Sequence, residues 1–272
     1  MRENRLASHE TEGKTMATTI SAADQALTEL LASIRQADSV ELKLTVPMSD
    51  RSRGATALGV DPLDAQIRQV YFFDTPDLAL DRQGLVVRAR RVQRKGDDSV
   101  VKLRPVVPAE LPLEVRESAG FGVEVDVMPD GHVCSGSMKS TLKAPAVREA
   151  VTGTKSLRKL FSKEQRGLFS AYAPEGLTLD DLSILGPIFV LKLKFSPKGY
   201  ARKLVAELWF YPDNSMLLEL STKCAPGEAF QVAAETKAFL IENGIDVGGE
   251  QETKTRKALE FFSARLREDA SG

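Results

Sequence analysis

Histidine and cysteine each occur only twice in 272 residues, and tryptophan once. His9 lies in a polar N-terminal stretch, and His132 follows Gly131 in an expected turn. That scarcity argues against a zinc centre and against a Ser-His-Asp triad. Cys134 and Cys224 form no metal or redox motif, which points to a reducing compartment. The charge is almost balanced, Lys+Arg 37 against Asp+Glu 38, so bulk electrostatics offers nothing to nucleic acid. No apolar run approaches the roughly 20 residues needed to span a bilayer. The N-terminus also lacks the apolar core of a signal peptide. The expectation is a cytoplasmic protein with neither a membrane nor a nucleic-acid partner.

The length allows one large core or two smaller ones. No internal repeat divides the chain. Residues 1–20 are polar and expected to be disordered, with Met16 an alternative start. Residues 21–268 read as one domain. Ser21 is positioned to cap a helix running to about Arg35, with Leu27, Leu30, Leu31 and Ile34 at helical spacing. Met48 to Gln66 reads as a long solvated connection carrying Arg51 and Arg53. Between Ser140 and Gly186 the pattern is helical, with Ser162 the expected N-cap of the last helix there. Arg158, Lys159, Lys163 and Arg166 read as its solvated face. Another helix follows Pro226 and ends at Gly244, and a final one covers TKTRKALEFFSARL.

What the chain has in quantity is charge at every second position of strand-like sequence. Successive strand side chains point to opposite faces. Arg88 and Arg90 therefore share a face, as do Lys102 and Arg104 in the next segment, with Val86, Val87, Ala89, Val100, Val101 and Leu103 as apolar filling. Glu41 with Lys43, Glu124 with Asp126, and Lys192 with Lys194 repeat the arrangement. Glu207 stands on one late segment, and Glu219, Ser221 and Lys223 on another. A strand with one charged and one apolar face normally turns its charges to water. A closed barrel with a polar lumen accounts for all of these segments together, because it puts both signs of charge on one shared wall. Trp209 and Tyr211 share the parity of Glu207 and are assigned to barrel packing in preference to stacking on a base.

ELK, YFFDTPDLAL, GLVVRAR, VVKLRP, VEVD, LKLK, LLELS and ETKTRKAL occur in that order. In this the sequence resembles the CYTH superfamily, the triphosphate tunnel metalloenzymes, over about residues 38–262. The FDTP turn and the two cationic strands after it are the most specific part. The resemblance implies an α+β fold, an eight-stranded antiparallel β barrel or tunnel with helices packed outside. It implies hydrolysis of inorganic triphosphate, thiamine triphosphate or a nucleotide, or cyclisation of ATP as in the adenylate cyclases of the family. Departures stand beside the matches. Ser39 replaces the first carboxylate of the ExExK motif, Ser221 the second carboxylate of the C-terminal ExE motif, and Gly122 an expected arginine.

On this resemblance Arg88 and Arg90 would fork phosphate oxygens, while Lys43, Lys102, Lys192 or Lys194 and Arg104 supply further positive charge. Lys254 would reach the tunnel mouth, and on pattern alone it reads equally as a surface lysine of its helix. Carboxylates in a cationic tunnel imply a divalent metal, and Mg²⁺ or Mn²⁺ suits an all-oxygen site. The implied ligands are Glu41, Glu207 and Glu219. Glu124 and Asp126 are the catalytic candidates, to position water or hold a second metal, and they read equally as counter-ions of neighbouring arginines. With two carboxylates missing, the expectation is weak metal-dependent triphosphate hydrolysis. Cyclase activity and non-catalytic binding of polyphosphate or nucleotide remain the alternatives.

Overall fold

A computed structural model describes residues 22–47, 51–246 and 254–271, with side chains at 24–47, 54–246 and 254–268. The expectations for residues 1–20, for Met16, His9 and the Ser21 cap, and for the Arg51 and Arg53 side chains lie outside the described residues. Nine strands form one closed barrel: β1 Ser39–Val46, β2 Gln66–Asp74, β3 Leu85–Val92, β4 Asp97–Leu103, β5 Phe121–Met128, β6 Gly131–Leu142, β7 Ser183–Phe195, β8 Leu204–Phe210 and β9 Met216–Cys224. Their order around the wall is β1-β5-β6-β4-β3-β2-β7-β8-β9. This corrects the expected eight antiparallel strands on two counts. The strand missed is β6, and β1 runs parallel to β5, with Ser39 beside Glu124 and Glu41 beside Asp126. The other pairings are antiparallel.

The sequence of β6, GHVCSGSMKSTL, has little of the β-branched and aromatic content that marks a strand. Its small residues have a packing reason. A Cβ on Gly136 would fall 2.5 Å from the Phe121 ring, which lies across it from β5. His132, expected in a turn, sits on β6 opposite Val127.

Apolar residues on the outer wall bury the helices. Phe73, Val87, Ala89, Val101 and Leu103 pack against Val147 of α5 (Ala146–Val151) and Leu168 and Phe169 of α6 (Lys163–Tyr172). Ser162 caps α6 as expected, in a capping box with Gln165. Ile34 of α1 (Ala22–Arg35) and Val232 of α7 (Ala229–Glu242) cover Val40, Val125, Cys134 and Cys224. Gly244 follows α7 with φ +70°, the left-handed stop its position required. The connection before β2 is not a plain loop: it holds a short helix, α2 Arg51–Ala57. Two further single-turn helices, α3 Ala79–Arg82 and α4 Leu113–Arg116, complete the connections. Among the described residues no helix is long and apolar enough to cross a membrane.

The last helix, α8 Lys254–Ser271, corrects the expectation that all helices pack outside. Ala258, Leu259 and Phe262 pack on Val70, Ile188, Val190, Trp209 and Leu217. Val190, Trp209 and Leu217 lie in one cross-strand row and share their faces with Lys192, Glu207 and Glu219. α8 therefore fills part of the interior itself, and its apolar stripe meets the apolar end of an otherwise charged wall.

Candidate functional site: a cationic barrel interior

Direct cross-strand partners point to one side of a sheet. Lys43 opposes Ser221, Glu207 opposes both Lys192 and Glu219, and Arg90 opposes Asp98. The register thus turns the period-two charges onto one shared inner wall, the arrangement that the seven charged segments called for.

Three groupings divide that wall. In the first, Asp126 is wholly buried, with Lys43 Nζ at 2.7 Å, Arg104 Nη1 at 3.2 Å and Lys102 Nζ at 3.8 Å. Its oxygens are compensated by these ions and not by aligned hydrogen bonds. Burial alone would raise its pKa, but the three cations hold it below the usual carboxylate value. Lys43 also contacts Glu41 at 3.3 Å. Burial would lower the Lys43 pKa, yet Glu41, Asp126 and Glu219 raise it. Glu124 pairs with Lys223 and lies 3.5 Å from the Ser39 hydroxyl. Burial is outweighed by Lys223, so Glu124 stays below its ordinary pKa. Carboxylate oxygens of Glu41, Glu124 and Asp126 all lie within 4.8 Å of one another.

In the second grouping, Lys254 Nζ lies 2.6 Å from Glu207 Oε2 and 2.5 Å from Glu219 Oε1. Lys192 Nζ takes Glu207 Oε1 at 2.6 Å. The implied ligand set is thereby divided. Glu41 joins Glu124 and Asp126, while Glu207 and Glu219 are joined by lysine. Lys254 brings its ammonium from α8 onto the inner-wall carboxylates.

The third grouping is cationic. Arg90 forks Asp98 at 2.8 and 2.9 Å. Arg88 beside it has no ion partner among the described residues, and its Nε has no hydrogen-bond partner. Burial, then Arg90, lowers its pKa to about 10. Among the described residues Arg68 bonds only the Gln66 amide. Burial and Arg90 lower its pKa too. Lys139 is lowered by burial and by Lys223 and Arg88. Lys102 is drawn down to about 8 by burial, against the pull of Asp126. Lys194 is exposed at the end of β7.

Arg68, Asp98 and Lys139 belong to this wall and were not assigned to it from sequence. Arg68 alternates with Gln66 and Val70, a signal that could have found it. Lys139 was hidden because β6 itself was missed. Among the described residues the inner face carries ten cations on or next to the strands (Lys43, Arg68, Arg88, Arg90, Lys102, Arg104, Lys139, Lys192, Lys194 and Lys223), and Lys254 on α8. Against them stand six carboxylates: Glu41, Asp98, Glu124, Asp126, Glu207 and Glu219. The interior carries an excess of positive charge that could take a polyanion, and the Glu41, Glu124 and Asp126 cluster could take a metal ion.

Phe72 and Trp209 on the strands and Tyr211 just past β8, at 0 %, 3 % and 4 % exposure, all pack in the cluster with α8. They are core, as expected for Trp209 and Tyr211, and offer no face to a base.

No protein-family profile matches the sequence, and no curated protein sequence does. Solved structures share the fold. One is a candidate adenylate cyclase from Bacillus halodurans, 15% identical, with a TM-score of 0.57 over 80% of this chain and 96% of that one. Another is a candidate adenylyl cyclase from Hippeastrum with a dominant triphosphatase activity, 16% identical, with a TM-score of 0.58 over 78% of this chain and 91% of that one. At these identities the likeness establishes the shared barrel fold.

Proposed function

We propose that residues 21–268 act as one domain, a metal-dependent phosphohydrolase that takes a triphosphate into the barrel. The observation that carries this reading is the cation excess on the inner wall, centred on Arg88, whose guanidinium has no ion partner among the described residues. A buried charge left unpaired is costly. A linear triphosphate, with roughly four negative charges, would relieve it through charge-assisted contacts. The ordered resemblance to the CYTH tunnel enzymes and the triphosphatase activity of the Hippeastrum neighbour agree with it. The sealed aromatics favour a ligand recognised through its phosphates, inorganic triphosphate before ATP.

Arg88, Arg90, Arg68 and Lys139 would hold phosphate oxygens, the arginines by bidentate contact. Glu41, Glu124 and Asp126 fit Mg²⁺ or Mn²⁺, being oxygen donors gathered within 4.8 Å. What a divalent ion supplies there is neutralisation of charge on the phosphoryl group under attack. Glu124, kept ionised by Lys223, would accept a hydrogen bond from the attacking water and orient it. Lys102, drawn to about 8, would donate a proton to the departing phosphate.

The test is phosphate and cyclic AMP release from tripolyphosphate, thiamine triphosphate and ATP, with and without Mg²⁺ or Mn²⁺. Metal-dependent phosphate release, strongest with tripolyphosphate, is the expected result. Cyclic AMP from ATP would replace this reading with a cyclase. Tight tripolyphosphate binding without turnover would replace it with a binding module.

A further inference from the structure

Glu207 and Glu219 are direct cross-strand partners, and each is more than nine-tenths buried. Like charges opposite each other in a ladder are destabilising, so a cation must stand between them. Here that cation is supplied by the chain. Lys254 bridges the two carboxylates at 2.6 and 2.5 Å. Its ammonium also lies 5.1 Å from the centre of the Trp209 ring, and Tyr211 donates to its backbone carbonyl at 3.1 Å. The residue is therefore fixed at both ends. Lys254, Ala258, Leu259 and Phe262 fall on one stripe of α8, so the packing that seats the helix also sets the ammonium in place.

The helix itself gives no reason for a lysine there. A cation at a helix N-terminus opposes the helix dipole, and the first turn of α8 has no acid to offset it. The carboxylates of the strands give the reason. At the other cluster Lys43 reaches Glu41 and Asp126, but the cation on Glu124 is Lys223, whose side chain is 53 % exposed.

We propose that Lys254 is a built-in cation that takes the place of a second divalent ion between Glu207 and Glu219. The barrel then uses one exchangeable metal ion, at Glu41, Glu124 and Asp126. This rests on the triphosphate reading above and narrows its chemistry from two metal ions to one.

Manganese stoichiometry by titration calorimetry on the full chain tests it without any turnover. Wild type should bind one ion, and Glu219→Gln should leave that number unchanged. Lys254→Ala should bind two, and Lys254→Ala combined with Glu219→Gln should return to one. Wild type binding none or two, or Lys254→Ala remaining at one, would overturn the proposal. If Lys254→Ala does not fold, Glu219→Gln decides alone: one ion supports the proposal and a loss overturns it. Tripolyphosphate titrated in the same way reports on the reading beneath it. Absence of tripolyphosphate binding ends that reading, whereas tight binding with two manganese ions ends only the lysine proposal.

Discussion

Lys43 and Asp126 meet at 2.7 Å across the parallel seam of β1 and β5. The pair thus joins a seam of the barrel and neutralises a carboxylate that no solvent reaches. Lys102 and Arg104 reach the same carboxylate, so the charges that stabilise this seam are also ones the proposed triphosphate would meet.

Asp126→Asn should therefore destabilise the fold by about 3–5 kcal/mol, the usual cost of stripping one partner from a buried ion set. The acid limb should change as well. The folded pKa of Asp126 is depressed, so its stabilisation is present above the ordinary carboxylate pKa and is lost as pH falls towards the folded value. Wild type should lose stability below roughly pH 4, and the variant should lose less over that window. Denaturant unfolding at neutral and acid pH measures both. Equal losses in the two proteins would contradict the assignment.

Arg88 should behave in the opposite way. Its charge has no ion partner among the described residues, and its pKa is depressed by burial and by Arg90, so the unliganded barrel carries it at a cost. Arg88→Met keeps the apolar stem and removes the charge. The thermal midpoint should hold or rise. Tripolyphosphate affinity should fall by about 1.5–3 kcal/mol, roughly tenfold to a hundredfold. Calorimetry showing unchanged affinity would remove Arg88 from the site.

Much of the wall was legible because strand parity is a local property. Arg88 and Arg90, or Glu41 and Lys43, declare a shared face with no knowledge of their neighbours. What parity leaves out is which strands meet. Nothing local says that Glu41 lies beside Asp126, or that Glu207 faces Glu219, so the three carboxylates grouped for a metal came out in two places. β6 was illegible for a different reason. Ser135 and Ser137 line the interior and Gly136 yields to Phe121, which leaves no alternation of large apolar residues to read. The seating of α8 inside the barrel was also hidden, because its stripe of Ala258, Leu259 and Phe262 would serve equally on an outer face.

Lys102 gives the pH dependence of binding. Burial draws its pKa to about 8, so it is partly neutral in mildly alkaline solution. A polyanion beside it would favour the charged form and raise that value. Tripolyphosphate binding near pH 8 should take up a proton, and affinity should fall as pH rises from 7 to 9. Lys102→Arg, charged throughout, should abolish both effects. Calorimetry in two buffers of different ionisation enthalpy counts the protons. No uptake in wild type would show that Lys102 does not sense the ligand.

Ser39 is the departure from the tunnel-enzyme pattern with the clearest structural test. It pairs with Glu124 across the parallel seam, its hydroxyl 3.5 Å from the Glu124 carboxylate. A carboxylate there would join Glu41, Glu124 and Asp126, and magnesium and manganese prefer charged oxygen to a hydroxyl. Without metal, Ser39→Glu should melt below wild type, because it adds a negative charge beside Glu124 with Lys223 alone paired to that group. With manganese the order should reverse. The concentration needed for half-maximal hydrolysis should fall about tenfold, in line with how ligand charge sets divalent affinity. Ser39→Gln matches the size without the charge and should reproduce neither change. The melting experiment holds even if turnover is slow. A manganese-induced rise in midpoint no larger for Ser39→Glu than for Ser39→Gln would mean that the seam is not where the metal binds.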